Sequence, residues 1–225
     1  MGKLAEKDMT PTGQSTFPFE TPPVRYEASD YLISQSNLNA WRVAIAWEAG
    51  DEFALAISGP QGSGKTHLAT ILADRMAGAG IQIFDNLPGQ APHDLMNVLS
   101  DLEIRGGRAI LIGRGTVEDW SAGLNDLRTR LSAAAQARIE EPDETLIIGV
   151  LNKMFGDRQL NVDMEVTAYV APFIPRTFAA ALQMVDRCDS IMMRDGKKLT
   201  KSAAKKIATA LFEPSAPPPS PHGAG

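Results

Sequence analysis

The sequence has a single cysteine, Cys188, among 225 residues. That excludes a disulfide framework and any multi-cysteine metal site, and it suits a reducing compartment. Histidine is nearly as scarce, and His67, His93 and His222 lack the spacing of a metal-ligand set. Cations are in deficit, with 22 Lys and Arg against 27 Asp and Glu and a formal net charge of −5. No global basic field is available to neutralise nucleic-acid phosphates, so autonomous, sequence-specific DNA binding is not expected and only a local basic patch is left open. No apolar run is long enough to cross a bilayer, and the opening MGKLAEKDMTPTGQ lacks the apolar stretch of a secretory signal. The expectation is a soluble cytoplasmic protein with no membrane partner.

What is present is a core-forming composition. With 225 residues and a 44% hydrophobic share, the chain can bury one good core, or a core plus a small satellite domain. Residues 1–30 are rich in Pro, Thr, Ser and charge and read as a flexible arm, as does the tail at 213–225, EPSAPPPSPHGAG. Between them, Ser36 reads as the N-cap of a helix over 37–47, where Leu38, Trp41, Ile45 and Trp47 recur at near-helical spacing. A buried strand at 53–57 follows. Helices at 65–76, 91–104 and 124–132 then alternate with strands at 81–84, 108–112 and 137–139, the pattern of a parallel, doubly wound α/β sheet. From Pro142 the strand signals stop. Four helical segments follow at 142–157, 163–173, 175–193 and 200–212, with Asp163 and Thr200 as caps and Pro175 in the first turn of the third. The expected organisation is an α/β nucleotide-binding domain over 31–140 and a small all-helical lid over 141–212. Cys188 falls in an amphipathic lid helix and reads as a buried thiol.

Between the first strand and the next helix lies Gly59-Pro60-Gln61-Gly62-Ser63-Gly64-Lys65-Thr66, in the strand, glycine-rich turn and helix context of a phosphate-binding loop. Its glycines let backbone N–H groups turn inward around phosphate oxygens, and the helix N-terminus adds positive potential there. Lys65 is expected to reach the outer phosphates and Thr66 to ligate Mg2+. His67 follows directly and is carried with the loop, although packing within the helix suffices to explain it. Asp85, at the end of the 81–84 strand, is placed to organise the same magnesium. Asn86 stands where many hydrolysing P-loop proteins carry a second carboxylate. An amide is a poor base, so intrinsic hydrolysis is expected to be weak or absent. ADP or ATP with Mg2+ is the expected ligand.

With the P-loop, the Phe84-Asp85-Asn86 strand end and the helical lid in place, the sequence resembles the Hda branch of the DnaA-related AAA+ ATPases, from about Gln14 to Leu211. The resemblance rests on GPQGSGKTHLA, AILIGR, DLRTRL, LNKMFGDRQLNVD and PRTFAAALQMVD, which agree in order and spacing. It implies a P-loop AAA+ sheet and an ADP- or ATP-bound regulator. That regulator joins the replication sliding clamp, the DNA polymerase III beta subunit, and stimulates the initiator DnaA to hydrolyse its ATP, limiting re-initiation. A homo-oligomer is compatible with it. The resemblance places Arg130 on the arginine finger presented to a neighbouring subunit's nucleotide, a task that suits a planar guanidinium fork. Arg128, two residues away, is the confounder. Arg176, at the start of the third lid helix, falls on the lid arginine that touches nucleotide across the cleft. Asn37, with residues 31–36, falls where the family packs the adenine base. Gln14, Phe17, Pro18 and Phe19, within Gln14-Ser15-Thr16-Phe17-Pro18-Phe19, resemble the clamp-binding peptide. Two phenylalanines can fill apolar pockets there, the proline restricts the chain before binding and the glutamine amide adds directional hydrogen bonds.

The sequence also departs from that family. The stretch between Thr66 and Ile81 is short where such domains fit another helix end, strand and loop, so the sheet has room to be one strand short. Ile112 or Gly113 stands where relatives carry a polar residue near the γ-phosphate. These gaps imply a nucleotide kept as a structural ligand, with catalysis in a partner's site. Two rivals remain: a helicase loader of the same AAA+ group, which needs no clamp peptide, and a small P-loop phosphotransferase, against which stands the lack of paired carboxylates or convergent arginines beside the loop. A full initiator would need a helix-turn-helix domain after the lid, for which this sequence leaves no room. Lys197, Lys198, Lys201, Lys205 and Lys206 read as a solvated helical face, with DNA or an acidic partner as the functional alternative.

Overall fold

The computed structural model describes residues 31–213. Four strands, β1 (Ala54–Ser58), β2 (Ile81–Leu87), β3 (Arg108–Gly113) and β4 (Ala135–Arg138), form a parallel sheet in the order β2-β3-β1-β4. The two central strands are covered on both faces, so ALAIS and RAILIG are near-continuous apolar runs. The pleat still sorts their side chains. Leu55, Ile57, Ile110 and Ile112 pack in one layer with helices α1 (Leu38–Ala49) and α2 (Lys65–Arg75). Ala54, Ala56, Ala109 and Leu111 pack in the other with α3 (Pro92–Ile104) and α4 (Asn125–Ser132). The stretch from Thr66 to Ile81 holds only α2 and the turn into β2, so four strands make up the sheet among the described residues.

β2 extends three residues past the Phe84 boundary the sequence suggests. Its register slips between Phe84 and Leu87, and Asn86 takes a left-handed φ of 67°, which asparagine tolerates better than most residues. Asp85 therefore sits inside this irregular end of the strand and not beyond it. β4 begins two residues earlier than its apolar pattern indicates, because its early residues pair with β1 while remaining partly exposed.

After β4 come four helices, α5 (Glu144–Asp157), α6 (Met164–Val170), α7 (Phe178–Asp195) and α8 (Lys201–Phe212), with a short 3-10 turn at Ala171–Phe173. They enclose a core of their own, built around Leu151, Phe155, Val170, Met184, Val185 and Ala208. Cys188 is fully buried in it, and burial pushes its thiol pKa up to about 12. Thr200 caps α8 as expected, its side chain accepting from the Ala203 N–H at 3.2 Å. Asp163 occupies the N-cap position of α6 but makes no side-chain cap bond. Among the described residues no helix is long and apolar enough to cross a membrane.

Two helix starts differ from the sequence reading. Asn37, not Ser36, is the N-cap residue of α1. The Ser36 hydroxyl is engaged with that of Ser34 at 2.8 Å, while its N–H donates to the Ser34 hydroxyl (3.2 Å) and to the carboxylate of Asp143 (3.2 Å), a residue far along the chain. α7 starts at Phe178 under a Thr177 cap, whose side chain accepts from the Ala180 N–H at 3.1 Å, so Pro175 and Arg176 precede the helix. The residue before a proline avoids helical backbone, and Ile174 is extended. The hydroxyl of Thr177 then supplies a better start than the proline.

Asp143 joins the two halves of the structure. Its Oδ1 accepts from Leu146 at the start of α5 (2.7 Å) while its Oδ2 accepts from Ser36 ahead of α1. Burial alone would raise its pKa, but hydrogen bonds from Leu146, Ser34 and Ser36 outweigh burial and hold the carboxyl below its ordinary value. A depressed carboxyl stabilises only while ionised, and that contribution is lost as pH falls through the folded pKa. Asp143→Ala is expected to cost about 1–2 kcal/mol in urea unfolding at neutral pH. The gap from wild type should shrink as the pH is taken below 3.8. An equal gap at neutral and acid pH would show that the ionised cap is not the source of the effect.

Candidate functional site

The site is built at the carboxyl edge of β1, where the chain must turn sharply into α2. Gly62 and Gly64 adopt left-handed φ of 72° and 91°. At Gly59 a Cβ would lie 2.3 Å from the Ile139 carbonyl oxygen, so a side chain has no place there. Ser63 is buried inside the turn, and its hydroxyl has no hydrogen-bond partner among the described residues. A buried, unpaired hydroxyl at the base of a glycine turn is the kind of donor an anion would satisfy. Pro60 and Gln61 form the exposed tip of the loop.

Lys65 opens α2 and reaches back over this turn, its Nζ donating to the carbonyls of Gly59 (2.9 Å) and Pro60 (2.5 Å). Burial is the main cause of a lowered Lys65 pKa. The charge of Arg114 lowers it further, and Asp85 opposes both. The next residue, Thr66, donates from Oγ1 to Asp85 Oδ2 at 2.9 Å, while Asp85 Oδ1 accepts the Asn86 N–H at 2.5 Å. Residues 19 apart in sequence, Thr66 and Asp85, are thus brought together at the ends of α2 and β2. Those two oxygens have the chemistry of a magnesium ligand pair, and the lysine, glycine N–H groups and Ser63 have that of a polyphosphate cradle. The residues present therefore fit a magnesium-bound nucleotide.

Arg114 is the site residue that the sequence did not single out. It follows Gly113 at the end of β3, with its N–H on the Leu87 carbonyl at 3.1 Å, and its charge acts on Lys65. Ile112 and Gly113, the positions expected near the γ-phosphate, are buried, and a Cβ on Gly113 would meet the Trp120 ring at 2.5 Å. The cation one residue further on was visible only as the last letter of AILIGR.

The lid also reaches the loop. A Cβ on Gly62 would lie 3.1 Å from the Thr177 Cβ, one on Gly64 would lie 3.2 Å from the Phe178 ring, and the Phe178 N–H points at the Gly62 carbonyl at 3.5 Å. Arg176 is exposed and stands immediately before these two residues in the chain. Asn37 is buried and works locally, accepting from the Ser34 N–H (2.8 Å) and donating to the Leu32 carbonyl (2.8 Å). His67 packs edge-on against Tyr31, with ring centroids 5.4 Å apart, and Tyr31 stacks on Trp41. Arg130 is not part of this cluster. From α4 its guanidinium pairs with Glu103 on α3 and lies 5.8 Å from the Phe53 ring centroid, leaving the side chain 25% exposed, whereas Arg128 is exposed. Gln14, Phe17, Pro18 and Phe19 lie outside the described residues.

A parallel β2-β3-β1-β4 sheet flanked by helices, with a P-loop after β1 and a helical unit behind it, is the AAA+ fold. Domain III of the Thermotoga maritima replication initiation protein DnaA superposes with a TM-score of 0.72 at 15% identity, over 84% of this chain and 98% of that one. A replication initiator DnaA bound to AMPPCP and single-stranded DNA gives a TM-score of 0.62 at 13% identity, over 83% and 81%. The Thermotoga maritima RuvB Holliday junction branch migration motor gives 0.60 at 15%, over 80% and 70%. In sequence, the chromosomal replication initiator protein DnaA of Ureaplasma parvum is 24% identical over 102 residues, 43% of this chain. The chain spans only 22% of that relative's length. No protein-family model matches. The fold is thus DnaA-like, related to that of replication initiators.

Proposed function

We propose that this chain is a nucleotide-bound AAA+ regulator of the Hda type, which holds ADP or ATP with magnesium and stimulates ATP hydrolysis by DnaA while attached to the sliding clamp. The observation that carries this reading is the P-loop of Gly59–Thr66 joined to Asp85 through Thr66, in a chain folded like DnaA domain III. Gly59 to Gly64 and Lys65 would hold the phosphates; Thr66 and Asp85 would hold the magnesium, with its other ligands from phosphate and water. Bound magnesium nucleotide would supply the anion that satisfies Ser63 and Lys65. His67 keeps α2 packed on Tyr31, Asn37 orders the Leu32–Ser36 segment proposed to receive adenine, and Arg176 would reach the nucleotide from the lid. In this reading residues 31–140 are the nucleotide-binding part, residues 141–212 the lid and residues 1–30 the clamp-binding arm.

Asn86 offers an amide where a base would be needed, so this chain's own hydrolysis is weak. Its catalytic contribution is made in trans. Arg130 would place its fork on the charge that develops during phosphoryl transfer in the neighbouring DnaA site. Gln14, Phe17, Pro18 and Phe19 would tether the regulator to the clamp and raise its local concentration.

The test is ATP hydrolysis by purified DnaA in the presence of clamp loaded on DNA. Wild-type protein should accelerate it, and the Phe17→Ala/Phe19→Ala double variant should lose the acceleration while still binding ADP. If wild type has no effect and instead pulls down the replicative helicase, the chain is a helicase loader and not a regulator of DnaA.

A further inference from the structure

The lid carries a basic groove that shares no residue with the P-loop cluster. Between α6 and α8 runs an open groove of about 660 Å³, lined by Tyr169, Lys201, Ser202, Lys205, Lys206 and Thr209. In a chain of net charge −5 this is a locally basic surface, extended by the exposed Lys197 and Lys198 just ahead of α8. Lys201 is shared with Glu165 at 2.8 Å, but Lys206 has no ion-pair partner among the described residues. Glu213 bonds Thr209 at the far end of α8. Tyr169 and Phe173 are 42% and 37% exposed, their centroids 6.0 Å apart and their planes tilted by 52°. Lys205 Nζ lies 4.5 Å from the Phe173 ring centroid. Exposed rings interleaved with lysines are not needed for the lid core, which is built from other residues.

We propose that this groove binds single-stranded nucleic acid without sequence preference, with Lys201, Lys205 and Lys206 tracking phosphates and Tyr169 stacking on bases, while Phe173, next to the groove with Lys205 over its ring, steadies that lysine. Every base has a π-face, so a stacking platform beside a cationic rail is tolerant of sequence. A duplex hides those faces, and an acidic peptide would meet the lysines yet leave the Tyr169 ring without a counterpart. The overall acidity of the chain is no obstacle, since exposed charges beyond about 10 Å are largely screened at ordinary salt.

Fluorescence anisotropy of the full chain with labelled oligo-dT and oligo-U of about 15 nucleotides, and with a duplex of the same length, tests this. Both single strands, or one in preference, should bind at least about tenfold more tightly than the duplex, and the preferred sugar names the ligand as DNA or RNA. Lys205→Glu/Lys206→Glu should weaken binding more than about tenfold and flatten the slope of log affinity against log salt by about 1.4, for two lost contacts. Tyr169→Ala should weaken it by about 5-fold or more, with the salt slope unchanged. Unchanged ADP binding by all variants certifies that they are folded. The proposal is overturned if no single strand binds, if the folded lysine or tyrosine variant binds like wild type, or if polyglutamate displaces the oligonucleotide as well as an unlabelled strand does.

Discussion

Lys65→Ala is expected to weaken binding of a fluorescent ADP analogue by about 10- to 150-fold at neutral pH and to leave the melting temperature of the nucleotide-free protein almost unchanged. A charge-assisted hydrogen bond is worth about 1.5–3 kcal/mol, and each 1.36 kcal/mol is tenfold in affinity. The lysine contributes little to the fold because its ammonium is buried, is lowered in pKa by burial and by Arg114, and is held among the described residues by the Gly59 and Pro60 carbonyls. For a lysine the lowered pKa is a penalty. It is fully present below the folded pKa and is relieved only as pH rises from there towards 10.5. A bound phosphate favours the charged form and offsets that penalty, which is why the loss should appear in affinity and not in stability. Affinity within twofold of wild type would remove the P-loop as the nucleotide site.

The second large effect belongs to Arg130. If it acts on a neighbouring DnaA site, Arg130→Ala should cost on the order of 10³-fold in stimulated ATP hydrolysis, and Arg130→Lys should be nearly as damaging because it keeps the charge and loses the fork. The structure adds a competitor for that guanidinium. Arg130 pairs with Glu103 and lies over Phe53. It must leave Glu103 to serve a partner, so Glu103→Gln should raise the stimulated rate several-fold at a cost of less than about 1 kcal/mol in stability. A purely structural Arg130 gives the opposite pattern: Arg130→Ala lowers stability, and neither Arg130→Lys nor Glu103→Gln changes the stimulated rate.

The features legible in the sequence are those encoded within one turn or one strand. Central strands β1 and β3 were readable from ALAIS and RAILIG because both faces are buried, and α2 was readable from the glycine turn that precedes it. Helix starts were legible where the cap is local, as with Thr200. They are hidden where the candidate hydroxyl is engaged elsewhere, as that of Ser36 is with Ser34, or where a better hydroxyl lies further along, as with Thr177 after Pro175. Arg114 carried no signal of its own, because an arginine after a strand becomes relevant only when the sheet sets that strand end beside Lys65.

By itself, then, the sequence determined the α/β alternation, the lid helices and the phosphate-binding loop, since periodicity and glycine turn chemistry act over a few neighbouring residues. Only the tertiary structure decided which distant residues meet: Thr66 with Asp85, Arg114 beside Lys65, Thr177 and Phe178 against the loop glycines, and Arg130 paired with Glu103. Strand order and helix docking place these groups, and packing of whole faces sets both.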